Sequence, residues 1–494
     1  MKKLDDFFEI KKRNSTKKVE IFAGITSFLA MVYILVVNPN NILQLGTNDP
    51  RFASVFIATA LGAFIGTLLM SILAKMPIAQ APGMGINTLV GTIIGGGMGF
   101  AFSYGNAMFF VFASGIIFLL LSFIPAGRKK NGDIISLREK IFDAVPKAIR
   151  TSTSVGIGLF IAFIGLQNAN IIVSNESTLV QLIDFKNPEM WVNGGSAFMA
   201  IVAIFGLVVI TVLAHYKVRG AVIIGILLST ILAIPLGVAN LDIITGKVAG
   251  ISWKFWENIG DFIHNNGVFL SVFKDGFNLP PGSILTSIMI IISLSMVDMF
   301  GTIGTIIGCC KNANLMDKDD KPINYGKIMY ADSIATVAGA MLGTSTVTSY
   351  VESGTGVAAG GKTGLTSLTT GILFLLSIFL LPLFAFIPSA AAAPALIYVG
   401  ALMMKNIVEV DFKNIKNTIP SFITIIIMLL SYSITDGIGA GIISFTIIDF
   451  IIYVVDLAKY NNGVLKVKPK PEITWLTFII FILFLIYYLV PTVI

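Results

Sequence analysis

The chain has 494 residues, 55% of them hydrophobic and only 12% charged, with a formal net charge of +7 and a mean hydropathy of +0.87. An average soluble domain is about 25% charged, so the composition excludes an ordinary soluble domain and describes an integral membrane protein. Two adjacent cysteines, Cys309 and Cys310, exclude a disulfide framework and a four-ligand zinc site; His215 and His264 both lie outside the apolar spans, which argues against a buried Ser–His or metal–His centre.

Residues 1–18 form a basic N-terminal segment containing Lys2, Lys3, Lys11, Lys12, Arg13, Lys17 and Lys18. The apolar run that follows begins near Val19 and continues past Val37 with no small-residue cleavage site, which predicts a retained first span and no signal peptide. Polar and basic breaks then set candidate spans near 19–43, 53–74, 81–97, 107–126, 150–171, 195–214 and 219–238. Each is of the order of the 20 apolar residues that cross a bilayer as a helix, and too long and uniformly apolar for a barrel strand. A polar connection from 239 to 282 holds Trp253, Phe255, Trp256 and Phe262, as expected of an external amphipathic segment at the interface. Seven more candidates lie near 283–308, 326–343, 348–363, 365–387, 390–405, 418–434 and 437–457, and a further apolar segment at 473–493 either spans or lies along the interface.

With the N-terminus inside, every second connection is cytoplasmic. Those connections hold Lys75, the cluster from Arg128 to Arg150, Lys217 with Arg219, Lys311 to Lys327, Lys362, Lys405 to Lys416 and Lys459 to Lys470, whereas the opposite ones are poor in Lys and Arg. Basic residues that follow topology this closely point to a membrane rather than to nucleic acid. Seven spans per half make the halves enter from opposite sides, the layout of an inverted repeat, in which short Gly- or Pro-interrupted segments at matching ranks mark the binding site. The third segment of the first half, "AQAPGMGINTLVGTIIGGG", and the third of the second, "TSTVTSYVESGTGVAAGG", both have this character.

Gly83 and Gly85 in the one, with Gly354 and Gly356 in the other, interrupt a helix and admit a flat ligand close to the backbone; the alternative is that they permit tight helix packing. Glu352 sits in the second interrupted segment and Asp298 midway along the eighth, in "SLSMVDMFGTIGTIIG", with no Lys or Arg in the interior of any candidate span, away from its ends, to pair with either. Asp332 and Asp449 lie about two turns from helix ends, where solvated or capping roles are expected. Two carboxylates, backbone donors and the amide of Asn87 describe a pocket for a small planar molecule with several N–H groups and carbonyls, such as a neutral heterocyclic base. The same carboxylates could carry a proton that crosses with the substrate.

"APGMGINTLVG", "MVDMFGTIGTIIG", "TSTVTSYVESGTGVAAGGKTGLTSL" and the N-terminal "FFEIKKRNSTKKVEIFAGITSFLAMVYILVVNP" resemble the AzgA-like branch of the nucleobase:cation symporter-2 superfamily, the guanine/hypoxanthine and adenine permeases, over almost the whole chain. The resemblance implies an all-α integral membrane fold of fourteen transmembrane helices in two inverted repeats of seven, with short strands in the broken third and tenth helices. It divides the chain into a core domain (19–126 and 283–387, helices one to four and eight to eleven) and a gate domain (150–238 and 390–457). It also implies proton-coupled import of purine bases through the inner membrane, with no cofactor beyond the co-transported proton, and it admits a homodimer. Asp298 and Glu352 match the family's substrate-binding carboxylates, and Gly83, Gly85 and Asn87 its third-helix contacts. Gly354, Gly356, Thr302 and Ser353 complete the candidate site. The chain departs from the family at Gly301, where a second acidic residue is usual.

Other readings stay open from sequence: a transporter of the same fold for uracil, xanthine or an inorganic anion, although two carboxylates would repel an anion, or an intramembrane aspartyl protease, although neither "MVDMF" nor "YVESG" has the G-x-G-D form.

Overall fold

Thr16 sets the start of the first membrane helix. Its hydroxyl accepts the Val19 N–H in extended geometry, the usual N-cap device, and α2 runs from Lys17 to Met31 after a short α1 at Lys2–Phe7. This computed structural model describes residues 2–44, 47, 49–97, 99–128, 134–138, 140, 145–175, 177–218, 220–245, 251–264, 267–316, 322–462, 464–465 and 467–489.

The first apolar run is two helices, a break that its uniform hydropathy did not announce. At Val32 and Tyr33 the winding tightens, with Leu35 and Val36 donating three residues back to Val32 and Tyr33, and α3 continues from Ile34 to Leu43. Pro39 inside α3 further removes a ladder donor. α4 (Phe52–Leu69) passes into a π turn (Met70–Ala74) that ends at Lys75 in the left-handed region. There follow β1 (Gln80–Pro82), α5 (Met84–Ile94), α6 (Tyr104–Phe123), a hairpin of β2 (Pro125–Arg128) and β3 (Ile134–Ser136), α7 (Lys147–Asn168), a second hairpin of β4 (Ile172–Asn175) and β5 (Leu179–Leu182), α8 (Ser196–His215) and α9 (Ala221–Ala233). The polar connection forms α10 (Phe255–Ile263), amphipathic as expected, and α11 (Ser271–Lys274).

The second half repeats the order. α12 (Ile284–Asn312) and α13 (Tyr325–Leu342) precede β6 (Val347–Ser349), α14 (Ser353–Ala358), α15 (Gly364–Leu376) with α16 (Leu381–Ala385), α17 (Ser389–Met403), α18 (Ile415–Leu430) and α19 (Ile434–Asn461), and α20 (Trp475–Leu489) is the additional helix. The fourteen expected segments are therefore present among the described residues, eight of them long and apolar enough by themselves to cross a bilayer. The hairpins β2–β3 and β4–β5 are additions that an all-α reading did not contain. Within the basic connections, Lys129, Lys130, Arg219, Lys318, Lys321 and Lys466 lie outside the described residues, as do positions 490–493 of the last segment.

The chain forms two compact units. One contains Met1–Leu119, Ile161–Leu279 and Gly301–Val399, and the other Leu120–Phe160, Pro280–Phe300 and Gly400–Ile494. In the first, both faces of α8 are apolar: Ala200, Ala203 and Gly206 are buried together with Val202 and Ile210, and Ile204, Val208 and Val212 remain exposed. The N-terminal segment is folded against this unit. Phe8 and Ile10 are buried with Leu365, with partly buried Leu368 packed against them, and the Arg13 guanidinium donates to the Lys75 and Lys362 carbonyls at 2.7 and 2.9 Å. Buried Glu20 accepts the Lys362 and Thr363 N–H groups, both at 3.1 Å, and the Thr366 hydroxyl at 2.6 Å, capping the entry to α15. Between the first two spans, Arg51 chelates Asp49 through two nitrogens and lies over the Tyr104 ring, whose hydroxyl donates to the Gly343 carbonyl. Burial pushes the Asp49 carboxyl up, but the hydrogen bonds and charge of Arg51 outweigh it and hold the group below its ordinary range.

In the second unit α18 and α19 pack as a hairpin, with Gly437 and Gly441 of α19 set against Met428 and Thr424. Asp449 differs from a solvated residue near a helix end. It is 1% exposed, pairs with Lys416 and accepts the Glu472 and Ile473 N–H groups at 3.1 Å, so it fixes the approach to α20.

Candidate functional site

The two interrupted segments cross. β1 and β6 pair antiparallel in the register Gln80 to Ser349, Ala81 to Thr348 and Pro82 to Val347, extended by Gly83 N–H to the Thr346 carbonyl and Tyr350 N–H to the Ala79 carbonyl. Two physical facts favour strand over helix here: Pro82 disfavours helix at the residue before it, and Val347 and Thr348 are β-branched. Each strand runs directly into a half-helix. Gly83 is the N-cap residue of α5 and Glu352 that of α14, and no side chain caps either end. Because the strands are antiparallel, the half-helices leave the crossing in opposite directions, with both N-termini near it.

A buried polar network holds the crossing. The Gln80 amide donates to Asp332 Oδ1 at 3.0 Å and to the Ser349 hydroxyl at 3.3 Å, while the Thr302 hydroxyl donates to the same Asp332 oxygen at 2.9 Å and is hydrogen-bonded to the Thr348 hydroxyl. Asp332 is 0% exposed, which corrects the expectation of a solvated or capping residue. Distance from a helix end measures depth along one axis, and α13 is enclosed by α4 and β6 at that depth. Asn87 donates to the Pro82 carbonyl at 3.3 Å and accepts from Ser345, so its amide links the two strand segments. The Tyr350 hydroxyl donates to the same Pro82 carbonyl at 2.5 Å, and the Ser353 hydroxyl exchanges hydrogen bonds with the backbone of Ala79.

Glu352 is half-buried at the start of α14, and its side-chain donor is the Tyr33 hydroxyl, 2.5 Å from Oε1. Tyr33 is itself fully buried, at the break in the first span, with Met84 Sδ of α5 at 3.6 Å. The candidate glycines divide. A Cβ at Gly83 would stand 2.8 Å from Thr348 Cγ2, and one at Gly356 would overlap Ser27 and the Ala23 carbonyl of α2, so both are required where elements approach closely. A Cβ at Gly354 would meet nothing within 4 Å. Gly85 is buried in the first turn of α5. The crossing thus gathers Gly83, Gly85, Asn87, Thr302, Glu352, Ser353, Gly354 and Gly356 in the first unit. Asp298 belongs to the second unit, where it is buried, one helical turn before Thr302 on α12.

Sequence reasoning missed Tyr33, Gln80, Tyr350 and the buried role of Asp332. A tyrosine in the middle of an otherwise apolar "MVYILVV" and a glutamine opening "QAPG" were the available signals, since a polar group at that depth requires a partner.

Solved structures share this architecture of half-helices meeting at a strand crossing. The transmembrane domain of a cyanobacterium bicarbonate transporter, BicA, superposes with a TM-score of 0.57 at 13% identity, covering 86% of this chain and 97% of that one. SLC26A9 superposes with a TM-score of 0.54, also at 13% identity, over 92% of this chain and 68% of that one. The chain belongs to the Permease family: the family's Xan_ur_permease model matches residues 18–440. Similar proteins include the guanine/hypoxanthine permease PbuO of Bacillus subtilis, 36% identical over 89% of this chain and 93% of its own length, and the adenine permease AdeQ of Escherichia coli, 35% identical over 90% of each. It is therefore a transporter and not an enzyme, which disposes of the aspartyl protease reading.

Proposed function

We propose that the protein is a proton-coupled secondary active transporter that imports purine bases, hypoxanthine or guanine by preference, through alternating access. The observation that carries this reading is the half-buried Glu352 carboxylate beside the crossed strands, held by a neutral phenol rather than by a cation. A carboxylate so placed accepts N–H groups from a flat heterocycle, and a Cβ on nearby Gly354 would meet nothing within 4 Å. Relatives named guanine/hypoxanthine and adenine permeases support the substrate class. An inorganic anion is disfavoured, because like charges repel strongly at low dielectric.

Asp298 and Glu352 together take the base and the coupling proton, and the core made of helices one to four and eight to eleven moves against the remaining helices. Loading neutralises buried charge and so lowers the barrier to that movement. The positive-inside pattern supports an N-terminus on the cytoplasmic side of the plasma membrane. The test is uptake of radiolabelled hypoxanthine into cells that lack their own purine permeases, competed with guanine, adenine, xanthine and uracil. Saturable uptake that guanine blocks and that is lost with a protonophore or in Glu352→Gln is expected. Well-expressed native protein that takes up none of these bases would refute the reading.

A further inference from the structure

We propose that Tyr33 is the residue that positions the Glu352 carboxyl for its ligand. The inference rests on the base-transport reading above and adds to it a residue of the opposite repeat. The chain places a phenol at the one break in its first span, buries it completely, and directs its hydroxyl onto Glu352 Oε1 at 2.5 Å. A phenol has a single proton to donate. The alternative acceptor within reach, Met84 Sδ at 3.6 Å, is a weak one, so the proton goes to the carboxylate.

Glu352 is the N-cap residue of a six-residue helix, and its side chain has three rotatable bonds whose freedom is lost on binding a ligand. Holding Oε1, together with the hydrogen bond from Glu352's own backbone N–H, restricts the carboxyl group and orients it for a ligand N–H. It also couples the first helix break to the tenth. α2 is packed on α14 through Ser27 and Gly356, which sets the height of Tyr33, two residues beyond the end of α2, relative to Glu352. Position and chemistry together make Tyr33 a determinant of affinity, not of packing alone.

The test uses hypoxanthine uptake by the full-length protein carrying Tyr33→Phe, which keeps the ring and removes the donor. Two further variants replace Tyr33 with 4-aminophenylalanine, which keeps a donor at the ring's para position, or with 4-fluorophenylalanine, which matches the size without one. Loss of a hydrogen bond to a charged group predicts a KM raised by about tenfold in the phenylalanine and fluoro variants, with maximal rate and expression near native. The amino variant is expected to return KM to within about threefold of native, since it restores a donor of the same reach. A native KM in Tyr33→Phe overturns the proposal. If Tyr33→Phe fails to fold, the amino and fluoro variants decide alone, and equal KM values overturn it. Saturable uptake by the native chain with no effect of these changes refutes Tyr33 only; no uptake by the native chain refutes the transport reading beneath it.

Discussion

Gly354 and Gly356 stand two residues apart in one short helix and do opposite things. A methyl group on Gly356 would enter the space of Ser27 and the Ala23 carbonyl, whereas one on Gly354 would enter a void. Gly356→Ala is therefore expected to lower the melting temperature of the purified protein, by the ~1–3 kcal/mol typical of overpacking, while Gly354→Ala leaves it unchanged and raises the KM for hypoxanthine. Equal melting and equal uptake for the two variants would contradict this division. The sequence made both glycines legible as a pair and could not separate them, because what distinguishes them is a neighbour more than 300 positions away. The same holds for the carboxylates. Glu352 and Asp298 were visible as charges without cations nearby in sequence, but Asp332 looked solvated because its partners Gln80 and Thr302 come from other elements.

Elements were more legible than their interruptions. Span positions followed from apolar length and polar breaks, and the two broken segments from their glycines and proline. The break at Val32–Tyr33 has no glycine and was invisible, and the hairpins lie in polar connections where the span rule is silent. At the other end of the chain, within the second unit, α20 is held to α18 and α19 by a polar clasp. Asp449 takes up Lys416 and two backbone N–H groups at the start of that helix, and the Tyr488 hydroxyl donates to Asp436. Removing one partner of a buried ion pair typically costs ~3–5 kcal/mol. Asp449→Ala is thus expected to make residues 467–474, already largely exposed, yield faster to limited proteolysis while the remaining helices stay resistant, as read by fragment mass. Cleavage no faster than in the native protein would mean that packing alone retains α20.

At the scale of the whole molecule, the strand crossing is the joint between the two repeats, and the proposed transport cycle moves it as one body. Cysteines at Ala81 and Thr348, directly opposite in the register, fall within the ~4.4–6.8 Å Cα separation that a disulfide spans. With Cys309 and Cys310 replaced by alanine, oxidation of the Ala81→Cys, Thr348→Cys protein is expected to leave hypoxanthine uptake intact. Loss of uptake that a reductant restores would show that the crossing opens in each cycle. The joint also constrains biosynthesis. Gln80 and Ser349 are separated by 269 positions, so a ribosome adding about 5–20 residues per second leaves β1 without its partner strand for roughly ten to fifty seconds. An extended backbone waiting that long inside lipid would carry unpaired polar groups. Thr67, already synthesised in α4, both accepts the Gln80 N–H and donates to the Gln80 carbonyl at 2.9 Å. In the finished fold one hydroxyl thus serves both backbone groups of Gln80, a pairing within the first repeat that needs nothing from the second.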